Sequence, residues 1–411
     1  MSAFRRRRGL AVLLGTLVFG ATVVRAESLT TTPASLERGR YLVDAGNCYS
    51  CHTRPGQPDF SGGVAFDTPA GVIYSTNITP DVATGIGRWT LTDLRRAMQE
   101  GVAPDGRHLF PAFPYPSFTK VTDADIADIY AYLRTLRPVR SSAPANGRLF
   151  GMRWPMAAWN ALFFKPNRYS PRADQTAEWN RGAYLVEGLL HCGACHSPRS
   201  RFLAEIPDRA LEGGELRADV GKGRVRPWSA VDLSSGERGL KSWSVTDLAK
   251  YLKSGVCARG GTFGPMNEVI LNSTSRLTDV DLRAVAVYLK SLPSRTSEPE
   301  PQAASANRAG EALYKDRCAK CHGPSGRGGM FSGPPVAGSA IVQAQNPASL
   351  LNVILFGPTL AKGVTYGAWE TMPAYADILN DADAAALSNY LRNSWGNHGP
   401  ALTAADVQKQ R

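Results

Sequence analysis

Hydrophobic and polar positions along the chain repeat one arrangement three times. Each repeat opens on a short helical run with a glycine among larger residues. These runs are Glu37-Arg38-Gly39-Arg40-Tyr41-Leu42-Val43, Asn180-Arg181-Gly182-Ala183-Tyr184-Leu185-Val186 and Asn307-Arg308-Ala309-Gly310-Glu311-Ala312-Leu313-Tyr314. A missing side chain at that place predicts another helix passing close by. Each repeat closes on an amphipathic helix, announced by Thr122, Thr278 or Asn380 with Asp125, Asp281 or Asp383 three residues on. That spacing predicts a cap or capping box, with the acids at the positive end of the helix dipole. The closing helices reach Tyr132-Leu133, Tyr288-Leu289 and Tyr390-Leu391. Between opening and closing helices, Trp89-Thr90-Leu91-Thr92-Asp93-Leu94 matches Trp243-Ser244-Val245-Thr246-Asp247-Leu248, which predicts middle helices capped by Thr90 and Ser244. The third repeat lacks this block; Asn346-Pro347 starts its middle helix, with proline at the tolerated first position. The pattern predicts an all-α chain of three tandem domains over residues 33–140, 176–293 and 305–396, with long Gly/Pro-rich loops.

The joints differ. Residues 141–175 form a connector crowded with Phe150, Trp154, Trp159, Phe163 and Phe164 and broken by Arg153 and Pro155. One-sided apolar stretches usually pack, so it reads as filling between the first two domains; docking to a partner or a membrane surface is the functional alternative. Residues 294–304, rich in Pro, Ser, Glu, Ala and Gln, read as a flexible linker, and residues 397–411 as a C-terminal tail.

Chemistry enters with the cysteines. Six of the seven fall in Cys48-Tyr49-Ser50-Cys51-His52, Cys192-Gly193-Ala194-Cys195-His196 and Cys318-Ala319-Lys320-Cys321-His322. Cys-x-x-Cys-His is the attachment signature of a c-type haem. Two thiols three residues apart share a helix face and reach two vinyl groups on one porphyrin edge; the adjacent imidazole is the proximal iron ligand. Zinc knuckles would each need two further ligands, and only His108, His191 and His398 remain. Each repeat therefore reads as a cytochrome c-like domain wrapped around one covalent haem c, with His52, His196 and His322 on the iron. The seventh cysteine, Cys257, is expected to be buried.

A second axial ligand belongs between the middle and closing helices, and a thioether there raises the reduction potential. Met266 in Gly264-Pro265-Met266 and Met372 in Thr371-Met372-Pro373-Ala374-Tyr375 lie at matching places in proline-flanked stretches. The first repeat has Phe113 there, in Pro111-Ala112-Phe113-Pro114-Tyr115, and phenylalanine cannot ligate iron. His108 in the same loop is a possible substitute, or the first haem is five-coordinate. Met98, one turn after Leu94 on the same helix face, reads as core.

Composition adds the compartment. Gly and Pro number 40 and 28 of 411 residues, which suits short helices around a large cofactor. Residues 1–26 read as a secretory signal peptide: Arg5–Arg8, an apolar run from Gly9 to Val24, and small residues at Val24-Arg25-Ala26. The segment carries five arginines and no acid, so its removal lowers the net charge from +12 to +7. Export fits thioether attachment of haem, which occurs outside the bacterial cytoplasm. No cluster is dense enough for nucleic acid, and no later segment is long and apolar enough to span a bilayer.

These residues together resemble the tri-haem cytochrome c subunits of bacterial membrane-associated dehydrogenases. The resemblance rests on the three motifs, on Ser75-Thr76-Asn77-Ile78-Thr79-Pro80-Asp81 and on Trp179-Asn180-Arg181-Gly182-Ala183-Tyr184-Leu185-Val186. Such subunits serve alcohol, gluconate, sorbitol and fructose dehydrogenases, and some molybdenum aldehyde or N-heterocycle hydroxylases. The resemblance implies an electron-transfer subunit that takes electrons from a catalytic dehydrogenase subunit and passes them to ubiquinone or a terminal oxidase. It implies a periplasmic place, peripheral on the inner membrane, and no substrate turnover alone. The alcohol dehydrogenase members of that family often have methionine where Phe113 stands, so the resemblance mildly favours a partner other than an alcohol dehydrogenase. The opposing reading is a peroxidase-like haem enzyme that uses an open first haem, with His108 as its histidine candidate for acid-base work.

Overall fold

The computed structural model describes residues 31–68, 71–146, 153–220, 224–294, 307–329, 332–358, 360, 367 and 369–411. The expected signal peptide at residues 1–26 and nearly all of the expected linker at 294–304 lie outside them. The first repeat consists of α1 (Pro33–Ala45), α2 (Cys48–His52), the antiparallel strands β1 (Ala65–Thr68) and β2 (Gly71–Tyr74), α3 (Leu91–Glu100), α4 (Tyr115–Phe118) and α5 (Asp123–Leu133). The connector holds α6 (Arg153–Phe163). The second repeat runs through α7 (Ala177–Tyr184), α8 (Gly193–His196), β3 (Glu212–Asp219), β4 (Val225–Asp232), α9 (Val245–Ser254), the short pair β5 (Val256–Cys257) and β6 (Gly260–Gly261), α10 (Met266–Asn272) and α11 (Asp279–Ser291). The third has α12 (Arg308–Arg317), α13 (Ala319–His322), α14 (Ala340–Gln343), α15 (Ala348–Phe356), α16 (Asp381–Arg392) and α17 (Ala404–Gln410).

Opening and closing helices cross as their glycines predict. A methyl group on Gly39 would stand 2.1 Å from the Asp128 carbonyl oxygen, one on Gly182 2.0 Å from that of Ala284, and one on Gly310 2.3 Å from that of Ala386. Thr122, Thr278 and Asn380 cap α5, α11 and α16 by accepting from the amides of Asp125, Asp281 and Asp383. Reciprocal capping boxes form at Thr90–Asp93 and Ser244–Asp247. The third middle helix starts one residue later than expected: Pro347 is its cap position, and the Asn346 side chain accepts from the Ala348 amide at 2.9 Å.

The expectation of an all-α chain is corrected by three two-stranded antiparallel ribbons among the described residues. The largest pairs Glu212 with Asp232 and Asp219 with Val225. Nor is the C-terminal stretch a plain tail. In α17 Val407 is fully buried, and Gln410 donates to the Pro227 carbonyl at 3.0 Å. The Arg392 side chain, wholly buried, donates to the carbonyls of Pro400, Val342 and Ala344 at 2.7, 3.0 and 2.9 Å.

The first two repeats share one core, which runs from Leu42 through Leu94, Ile126 and Leu185 to Leu289; the third has its own around Leu351, Leu387 and Val407. The seam of the shared core is reciprocal. Tyr41 donates to Asp281 at 2.5 Å, and its counterpart Tyr184 donates to Asp125. The Thr278 amide donates to the Tyr41 hydroxyl and the Thr122 amide to the Tyr184 hydroxyl, each at 3.3 Å. Arg276 pairs with Asp44 at 2.8 Å and Lys120 with Glu187 at 2.7 Å. Asp125 and Asp281 also bind Arg38 and Arg181 of their own repeats. Their carboxylates therefore tie the repeats together instead of completing capping boxes.

Candidate haem-binding sites

Each Cys-x-x-Cys-His stretch forms a single helical turn on which both thiols and the imidazole are presented together. Asn47, just before Cys48, adopts the left-handed conformation that asparagine tolerates, and His191, before Cys192, does the same. The three histidines are then fixed alike. His52 Nδ1 lies 2.6 Å from the Thr76 carbonyl, His196 Nδ1 2.8 Å from that of Val231, and His322 Nδ1 2.8 Å from that of Pro334. A carbonyl only accepts, so Nδ1 carries the proton and Nε2 keeps its lone pair for a metal. Burial lowers all three imidazole pKa values, which keeps the rings neutral.

The ribbons explain where those carbonyls come from. Thr76 follows β2, and Val231 lies in β4. A bridge between Gly329 and Gly333 immediately precedes Pro334. Gly214 of β3 lets its ribbon press onto the motif, since a methyl group there would stand 2.2 Å from the Cys195 carbonyl oxygen. Sequence reasoning missed Thr76, Val231 and Pro334 because they act through main-chain oxygen, which no residue type marks.

The thiols are unpaired and suited to covalent attachment: no cysteine forms a disulfide. Burial pushes Cys48, Cys51 and Cys192 up to about 12 and Cys318 to about 11. Burial is the main cause at Cys51, with Cys195 of the second motif adding to it. α10 sits on the first motif, where Asn272 donates to Ser50 at 2.9 Å. Cys257 is buried, as expected.

Met372 lies in an extended loop, half-buried against the third core. Met266 is half-buried and, contrary to a pure loop position, is the first residue of α10. Phe113 turns into the shared core, where it meets Phe118 edge-on at 5.5 Å, and Phe118 meets His191 at 5.3 Å. Met98 is buried in the core. His108 is held by the connector: its Nδ1 lies 2.8 Å from Asn160 Nδ2, while Asn160 Oδ1 accepts from the Tyr115 hydroxyl at 2.5 Å. Asn160 thus donates to Nδ1, and the ring proton of His108 sits on Nε2.

Known proteins agree with this chemistry. The family model described as cytochrome c matches residues 36–137, and that described as cytochrome c oxidase, cbb3-type, subunit III matches residues 305–391. The cytochrome c subunit of the quinone alcohol dehydrogenase of Gluconacetobacter polyoxogenes is 37% identical over 95% of this chain and 88% of its own length. The chain belongs to the cytochrome c subunits of bacterial dehydrogenase complexes. The gluconate 2-dehydrogenase cytochrome c subunit of Pantoea cypripedii is 37% identical over 98% of this chain and 94% of its own length. A nicotinate dehydrogenase subunit of Pseudomonas putida is 42% identical over 92% of this chain, which spans only 32% of that protein. A cytochrome c subunit carries covalent haem c and moves electrons; it is not the catalytic subunit.

The residues present fit the group. Paired, unbridged thiols, half-buried except for the exposed Cys195, adjoin an imidazole whose Nε2 is free. In the second repeat the Trp228 indole N–H is buried without a hydrogen-bond partner, its ring packed against Gly264 beside Met266. A haem propionate is a fitting acceptor for such a donor.

Proposed function

We propose that this cytochrome subunit carries electrons from a catalytic dehydrogenase subunit, across three covalently held haems c, to a quinone or terminal oxidase at the periplasmic face of the inner membrane. Cys48 and Cys51, Cys192 and Cys195, and Cys318 and Cys321 would attach the three groups. His52, His196 and His322 would ligate the irons proximally, and Met266 and Met372 would ligate two of them distally. Each haem supplies a one-electron iron couple when bound. The observation that carries the reading is the threefold recurrence of one device: paired thiols beside an imidazole whose Nδ1–H is anchored on a main-chain carbonyl.

The chain's own work is positional. The carbonyls of Thr76, Val231 and Pro334 anchor the imidazoles, and the reciprocal seam holds the first two repeats together. The third repeat is joined through β4 itself. Ser229 and Ser349 exchange amide-to-hydroxyl bonds at 3.0 and 3.1 Å, only two residues from the Val231 carbonyl that orients His196. The geometry gives no support to a peroxidase-like reading, because both sides of Asn160 are committed and His108 offers no free base toward an iron. Intact mass of the exported protein tests the count. A gain of three haems is expected, and two or fewer from a host with working attachment machinery would refute it.

A further inference from the structure

We propose that the exposed end of α6, together with the Phe202 loop, seats this subunit on an anionic lipid surface. One side of α6 is committed to protein: Asn160 is buried against Tyr115 and His108, and Phe164 meets Tyr115 edge-on with ring centres 4.9 Å apart. The other side is bare. Leu162 is 74% exposed, Phe163 40% and Phe202 50%. Phe163 and Phe202 stack at 5.4 Å although they come from separate segments, and the Trp159 indole donates to the Phe202 carbonyl at 2.8 Å. The result is a fixed apolar platform rather than loose loop residues, and soluble chains rarely leave such a platform to water.

Charge selects the occupant. Of the cations in this part of the chain, Arg172 is paired with Asp174 and Arg168 donates to Thr119, so the cations at the platform itself are the ones that count. Lys165 follows the apolar end of the helix directly and is exposed, and the Arg201 guanidinium lies 4.7 Å over the Phe202 ring. Apolar side chains at the acyl boundary, with cations at headgroup level, are the pattern of a helix lying in a membrane interface. Long basic side chains bury their stems while their heads stay in water. α6 has 11 residues, and no helix among the described residues is long and apolar enough to cross a bilayer, so the contact rests on the surface.

This assigns a face to the proposed peripheral association and requires no redox partner. The full-length holoprotein is sedimented with vesicles of mixed phosphatidylglycerol and phosphatidylethanolamine, and with phosphatidylcholine vesicles. Wild type is expected on the anionic vesicles and to be weaker on the neutral ones. Leu162→Ser/Phe163→Ser/Phe202→Ser should bind at least about tenfold more weakly, with unchanged Soret absorption and far-UV circular dichroism. Leu162→Ser alone, at the most exposed position, should weaken binding several-fold and serves if the triple variant misfolds. Lys165→Gln/Arg201→Gln should lose the preference for anionic lipid. Wild type that fails to sediment with anionic vesicles, or Ser variants that bind as wild type does, would overturn the proposal and leave the patch to a protein partner.

Discussion

Asn160 decides what His108 can do. With its oxygen taken by Tyr115, it can only donate to His108, and the imidazole is left with its proton on Nε2. Replacing His108 with Ala should therefore leave carbon monoxide binding by the reduced protein unchanged, whereas greater binding in the variant would make His108 a ligand after all. Phe113 offers no lone pair either, so wild type should bind carbon monoxide at one haem without denaturant. Replacing Met266 or Met372 with Ala should lower one reduction potential and remove the methionine-to-iron charge-transfer band, since a thioether favours ferrous iron. Unchanged spectra and titrations in both variants would show that the thioethers lie elsewhere. Asp281 sets a pH dependence. Its burial opposes the charge, but the bonds from Arg181 and Tyr41 prevail and hold its pKa below the usual carboxylate value. A depressed acid stabilises the fold fully above the unfolded pKa of about 3.9 and loses that contribution as pH falls through the folded value. Asp281→Asn should cost about 2 kcal/mol at neutral pH, with the gap to wild type closing below about pH 4. A gap that stays constant down to acid unfolding would mean that the carboxylate charge contributes nothing.

Among the elements, the ribbons carry a burden that their few residues conceal. Gly214 lets β3 lie on the second motif, and β4 then offers Val231 to His196. Gly214→Ala should displace the ribbon, at a cost of about 1–3 kcal/mol, and raise the potential of one haem without touching any ligand, because His196 loses the acceptor that makes it a stronger donor. Wild-type stability and potentials in that variant would show that the close approach is dispensable. The helices were legible in the sequence because their caps and close-packing glycines are side-chain signals: Thr122, Thr278, Asn380, Gly39, Gly182 and Gly310 all act as read. The ribbons were not legible. Glu212–Asp219 contains two glycines and three acids, with none of the β-branched alternation that marks a strand, and its pairing depends on what it covers. Met266 heads a helix for a related reason. Pro265 looks like a loop breaker but also fits the start of a helix, and only packing on the first motif decides between them.

At the scale of the whole molecule, the first two repeats are one body and the third is a neighbour. A single core and the paired bonds of Tyr41 with Asp281 and Tyr184 with Asp125 join the first pair, while polar contacts through Ser229, Pro227 and Gln410 hold the third. A chain ending at residue 294 should therefore fold with two haems, and either of the first two repeats alone should not. Stable one-haem fragments from residues 31–140 or 176–293 would contradict the shared core. The seam has the form of a twofold contact, in which each patch meets its own counterpart. Two separate copies would have to find one another in solution; joined in one polypeptide, they meet at an effective concentration that dilution cannot lower. Covalent joining also frees the halves to differ. A homodimer makes every substitution twice, but this chain can carry methionine on one side of its axis and Phe113 on the other, so that one shared framework would give its two haems unlike surroundings.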